Sequence, residues 1–121
     1  MGRPFVLRLN SILQYTCKEC GMPLSSQEFL ISTHFRGKIS NACIFSQVYN
    51  VSEGPAEDRL MNTGLYSIVD IYCNDCGTIL GWKYEVAYQE SQQYKIGKYI
   101  LERSLLMSNQ IHDNSKLYPG S

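Results

Sequence analysis

Two short stretches carry the same text: CKECGMPL at residues 17–24 and CNDCGTIL at residues 73–80, each reading Cys-x-x-Cys-Gly-x-x-Leu. A two-residue spacer lets both sulfurs of a pair face one ion. A glycine after the second cysteine takes positive φ at low cost, and that turn directs backbone N–H groups toward the thiolates. The leucine then re-enters the core. Two such turns supply Cys17, Cys20, Cys73 and Cys76, and four thiolates make a closed tetrahedral zinc site with no position left for water. A single Cys-x-x-Cys would read as a redox pair in a βαβ setting. Two pairs could instead form disulfides, which a reducing compartment disfavours. The 52 residues between the pairs far exceed the span of a small zinc ribbon. One structural zinc ion therefore pins the start of the domain to its later half. Such an ion is worth ~10–16 kcal/mol of apparent binding free energy, comparable to the ~5–15 kcal/mol that stabilises a whole small domain.

The chain has 121 residues, enough for one domain with a modest core. Eleven Lys and Arg balance eleven Asp and Glu, so the formal charge is zero. That balance speaks against non-specific nucleic-acid binding, which runs on displaced counterions, and against a polybasic membrane anchor. No apolar run approaches the ~18 residues of a membrane span, and MGRPFVLRLN lacks the apolar core of a secretory signal. Gly2 suggests myristoylation, but Val6 stands where that motif wants Ser or Thr. These features point to the nucleus and cytoplasm.

The pattern of residues predicts mostly strands. Residues 5–16, 29–35, 42–51 and 65–72 are rich in β-branched and aromatic residues. In LGWKYEVAY (80–88) strict alternation puts Leu80, Trp82, Tyr84, Val86 and Tyr88 on one face and Gly81, Lys83 and Glu85 on the other. SEGPAEDR (52–59), with Gly, Pro and four charges, reads as a surface loop. Residues 89–97 suggest a helical turn and 98–107 a final strand. The domain is expected over residues 1–107, with 108–121 a disordered tail. Cys43 reads as a small buried thiol. His34 and His112 stand alone, without ligand spacing.

The two cysteine pairs, their 52-residue separation and the Gly81-Trp82-Lys83-Tyr84 that follows resemble the Yippee family of zinc-binding proteins. The likeness runs over about residues 14–104 and includes Asn50, Gly64, Lys95 and Glu102; Ser40 replaces a usual Gly and Ile44 a usual Leu. The resemblance implies a β-tent, two antiparallel sheets stapled by zinc. That fold is shared with the thalidomide-binding domain of cereblon and with zinc-containing methionine-R-sulfoxide reductases. It further implies a non-enzymatic protein acting in growth or cell division, in some members associated with a ubiquitin-ligase complex.

Three functional classes follow. The first is a protein-interaction adaptor. The second is a small-ligand or peptide-end pocket around Trp82, for which Asn62, Tyr66, Trp82 and Tyr84 are the candidates; there Gly81 removes a side chain beside the indole. Trp82 can equally be a core plug. A cage of three tryptophans, as in the imide-binding relatives, is absent, because Trp82 is the only one. The third class, a reductase or a nucleic-acid-binding zinc module, is the weakest. Such reductases place their nucleophile beyond the second zinc pair, and no cysteine follows Cys76. The sequence also lacks G-x-S-x-G and H-E-x-x-H motifs.

Overall fold

The computed structural model describes residues 11–112, with side chains placed for residues 13–110. Nine strands run in chain order: β1 (Ser11–Cys17), β2 (Pro23–Ser26), β3 (Leu30–Arg36), β4 (Asn41–Phe45), β5 (Val51–Met61), β6 (Gly64–Cys73), β7 (Ile79–Ala87), β8 (Tyr99–Glu102) and β9 (Leu106–His112). Short 3₁₀ segments at Gln27–Phe29, Glu90–Lys95 and Arg103–Leu105 are the only helical segments among the described residues. The strands form two antiparallel sheets, a small one in the order β2-β1-β9 and a large one in the order β3-β4-β8-β7-β6-β5. The mainly β, two-sheet architecture expected from the sequence is thus the one observed.

Strand alternation gives the large sheet two apolar faces. One face contributes Cys43, Phe45, Val69, Ile71, Cys73 and Leu101, which pack with Tyr15, Cys17 and Leu24 of the small sheet. The other contributes Ala42, Ile44, Tyr66, Ile68, Trp82, Tyr84, Ala87 and Ile100, a second core closed over by Phe35 and Met61. Cys17 and Cys73 belong to the first core, Cys20 packs at its margin and Cys76 is exposed, while Trp82 belongs to the second.

Strand β7 corrects the expected face of five residues. Ile71 pairs with Gly81 but Tyr72 with Ile79, so Leu80 is an extra residue, and Glu85 is another between the Ile68–Tyr84 and Ser67–Val86 pairs. Each bulge reverses the alternation. Leu80 therefore enters the core beneath the cysteines, while Trp82 and Tyr84 face the other way. Beyond the second bulge Ala87 is buried, and Val86 and Tyr88 are exposed.

Gly81 does not clear space beside the indole. It pairs with Leu101 on β8, and a Cβ there would overlap the Ile100 carbonyl oxygen and lie 2.8 Å from the Ile100 carbonyl carbon. The glycine serves close approach of two backbones, not a ligand.

Two further expectations are corrected. Residues 52–59 are not a loop but most of β5, paired with β6 at the edge of the large sheet. Pro55 is accommodated because the register slips between Glu53 and Ala56, and an edge position or a bulge is where a strand tolerates proline. The anticipated final strand over 98–107 is broken by the Arg103–Leu105 turn, which carries the chain from the large sheet to the small one. There β9 continues past Ser108, pairing along β1 from Cys17–Leu106 to Ser11–His112. Main-chain pairing needs no apolar side chains, so polarity alone did not reveal it. Residues 113–121 of the expected tail, like residues 1–10, lie outside the described residues.

Gly81→Ala is expected to destabilise the domain by ~1–3 kcal/mol or more, since neither backbone can yield without disturbing the β7–β8 ladder. Chemical denaturation of the two proteins checks this, and unchanged stability would contradict the assigned packing.

A four-cysteine metal centre and an aromatic pocket

The two repeated stretches fold into matching knuckles. In the first, the Cys17 N–H donates to the Met22 carbonyl (2.9 Å) and the Gly21 N–H to the Cys17 carbonyl (2.7 Å). In the second, the Cys73 N–H donates to the Thr78 carbonyl (2.9 Å) and the Gly77 N–H to the Cys73 carbonyl (2.9 Å). Gly21 and Gly77 take φ of 81° and 79°, the left-handed conformation anticipated for them. Each knuckle joins neighbouring antiparallel strands, β1 to β2 and β6 to β7.

The knuckles face one another. Cys17 Sγ lies 3.7 Å from Cys76 Sγ, Cys20 Sγ lies 3.5 Å from Cys73 Sγ, and all four sulfurs fall within 4.8 Å. A tetrahedral zinc with bonds of ~2.3 Å needs ligand edges of ~3.8 Å, so this sulfur set fits the ion. None of the four is in a disulfide. The polypeptide already favours thiolate at the exposed corner: the Thr78 hydroxyl, 3.0 Å from Cys76 Sγ, and the Thr78 N–H lower that thiol to about 7. Burial raises Cys17 instead.

Asn50 ties the knuckles together, a role its sequence gives no hint of. Its φ is 60°, its carbonyl accepts the Asn74 N–H at 3.0 Å, and its amide donates to the Pro23 carbonyl at 2.8 Å. Asparagine is among the few non-glycine residues at ease in that conformation.

On the opposite face of the large sheet is a cavity of about 490 Å³. Trp82 and Tyr84 on β7 form part of its lining. Three segments converge around them: the end of β3 and the following turn, with Phe35, Arg36 and Lys38; the β5–β6 hairpin, with Arg59, Met61, Asn62 and Thr63; and the 3₁₀ turn, with Gln92, Tyr94 and Lys95. Of the four anticipated pocket residues, Asn62, Trp82 and Tyr84 line the cavity. Tyr66 does not; it is fully buried behind the wall, its ring 4.7 Å from that of Tyr84. Trp82 is both core and wall, only 3% exposed yet in contact with the cavity. The Tyr84 hydroxyl meets Met61 Sδ at 3.8 Å, and burial pushes this phenol up to about 12.

Sequence reasoning assigned no role to Lys95 or Glu102. Lys95 is buried, its ammonium donating to Tyr66 Oη (3.0 Å) and Thr63 Oγ1 (3.2 Å) among the rings of Phe35, Tyr66, Tyr84 and Tyr94. Glu102, also buried, accepts the N–H groups of Lys38 (2.7 Å), Ile39 (3.4 Å) and Ser40 (3.2 Å). It thereby fixes the turn that carries Lys38 to the pocket. Ser40, standing where a glycine was expected, adds its own hydroxyl to that carboxylate at 3.2 Å. Their only signal was a match to the resembled family, with no local chemistry to interpret it. Cys43, as expected, is buried, in the first core, and its thiol is raised by that burial. His34 is exposed on β3 beside Thr33.

Four sulfurs spanning two antiparallel sheets define a zinc-binding β-domain rather than a finger. The family model described as Yippee zinc-binding/DNA-binding/Mis18, centromere assembly matches residues 13–119, and the chain belongs to that family. It is 48% identical over 103 residues to a protein yippee-like of Solanum tuberosum, covering 85% of this chain and 79% of the relative. It is 49% identical over 100 residues to protein yippee-like 4 of Homo sapiens, covering 83% and 76%. Among solved structures, the Mis18 "Yippee-like" domain superposes with a TM-score of 0.68 at 15% identity, over 83% of this chain and 97% of that one, a likeness of fold.

Serine at any of positions 17, 20, 73 or 76 is expected to abolish stoichiometric zinc and the cooperative melt, whereas Cys43→Ser keeps both. Metal analysis with thermal denaturation checks the pattern. Because the ligands bind as thiolates, acidification should release the metal.

Proposed function

We propose that this protein is a non-enzymatic recognition module in which one structural zinc ion holds a pocket-bearing sheet rigid for docking to a protein partner. The observation that carries the reading is the pocket itself: a cavity of about 490 Å³ with Trp82 and Tyr84 in its lining and three converging segments around it. Ligand sites are concave, with aromatic and apolar walls and a few placed polar groups, and this one has that make-up. Four thiolates leave zinc no open position for catalysis, and Cys43 is buried in the core on the other face.

The partner we favour is a protein, with a subunit of a ubiquitin-ligase complex as the particular case and the nucleus and cytoplasm as the setting. Membrane association has no place in this reading, and nucleic acid is the weaker alternative. Its support is the DNA-binding wording of the family description. Against it stands a formal charge of zero, so the chain as a whole carries no net positive charge to displace counterions.

Affinity capture with mass spectrometry, comparing the wild-type chain with Phe35→Ala and Tyr94→Ala, tests the proposal. Both residues line the cavity without being fully buried. Loss of the same protein partner in both, with circular dichroism and zinc content unchanged, is the expected result. An unaltered partner set would move the interface off the pocket.

A further inference from the structure

The charges around the pocket are one-sided. The chain has eleven basic and eleven acidic residues, yet Arg36, Lys38, Arg59 and Lys95 all line the cavity and no Asp or Glu among the described residues does. Two carboxylates beside the lining residues are already committed. Glu102 sits behind the 37–40 turn, holding its backbone N–H groups. Glu57 pairs with Arg59 Nη2 outside the cavity lining.

Hydrogen bonding is unbalanced in the same direction. The only two buried side-chain polar atoms without a partner among the described residues are Arg59 Nη1 and Trp82 Nε1. Both are donors, and both residues line this cavity. Lys95 adds a buried ammonium that faces only a hydroxyl, a phenol and ring faces, with no carboxylate within ion-pair distance among the described residues. Ring faces ease a desolvated cation but do not neutralise it, and buried charge without a counter-charge is costly. A site built from surplus donors and positive charge lacks an acceptor-rich anion.

Building on the pocket reading above, we propose that this cavity recognises a carboxylate carried on an apolar peptide stem, with the carboxylate drawn to Lys95 and Arg59 and the stem against Trp82 and Phe35. The source is an acidic side chain or a free chain end, which share this chemistry. Nucleic-acid phosphate fits less well. Lys95 is only 4% exposed, which disfavours contact with the phosphates of a rigid duplex, whereas the cavity of about 490 Å³ suits a side-chain-sized group.

The test uses the zinc-loaded full chain, a short DNA duplex and three peptide probes: acetyl-Phe-Glu-amide, acetyl-Phe-Gln with a free carboxyl terminus, and neutral acetyl-Phe-Gln-amide. Trp82 is the sole tryptophan, so its indole N–H is a single resonance. The expected result is a saturable shift of that resonance with one or both acidic probes, at least about tenfold tighter than with the neutral amide, as charge-assisted hydrogen bonds warrant. The first probe responding alone identifies a side-chain carboxylate, and the second alone a chain end. Lys95→Met should remove the preference. Should that variant not fold, the exposed pair Arg36→Gln and Lys38→Gln should reduce it. Equal binding of all three peptide probes would overturn the carboxylate inference while leaving the pocket as a docking site. No shift with any probe, or a shift only with a short DNA duplex, would overturn it as well. The partner capture described above decides the docking role separately.

Discussion

Four sulfurs brought together from residues 17–20 and 73–76 are the constraint on which the rest of the structure depends. The first knuckle belongs to the small sheet and the second to the large one, so a bound ion fixes one sheet against the other. Without a metal, four thiols 3.5–4.8 Å apart offer little attraction, and as thiolates they would repel. The core between the sheets, including Leu24, Phe45, Ile71 and Leu101, is modest for a chain of this size. Asn50 shows the same economy in hydrogen bonds, joining the two knuckles through one carbonyl and one amide.

The metal centre was legible because every part of it is local. A Cys-x-x-Cys-Gly turn is a few residues long, and its chemistry does not depend on what surrounds it. The knuckle glycines and most strands of the large sheet were readable for the same reason, whereas the two-sheet class came from the family resemblance. What failed were inferences that assumed unbroken regularity. Alternation along residues 80–88 broke at Leu80 and Glu85, since a bulge is decided by the partner strand's register rather than by the strand's own residues. The run 52–59 looked like a loop because proline and charge mark both loops and edge strands, and only the sheet order distinguishes them. Gly81 was assigned to ligand access when its real neighbour is a carbonyl some twenty residues later in the chain.

The pocket was half legible. Trp82, Tyr84 and Asn62 could be suggested from aromatic content and spacing, but the groups that give the site its character could not. Lys95 lies in a polar stretch that reads as solvent-facing, and its burial follows from a 3₁₀ turn folding back over β7. Arg36, Lys38 and Arg59 come from segments more than twenty residues apart. Their convergence is a property of the tertiary fold alone, and the zero net charge of the whole chain conceals it.

Metal centre and pocket also share their supports. Strand β6 ends in Cys73 and carries Tyr66, which backs the pocket and anchors Lys95; β7 leaves the second knuckle and carries Trp82 and Tyr84. The same two adjacent strands thus deliver two sulfur ligands at one end and the pocket's aromatic elements along their length. Strands paired on both sides bend little, and β7 is held by β6 and β8 with Gly81 packed against backbone. Fixing the knuckle therefore fixes the register that puts Trp82, rather than Leu80, at the cavity. In the function proposed for this pocket the zinc acts through geometry: it holds the register that turns Trp82 toward the cavity.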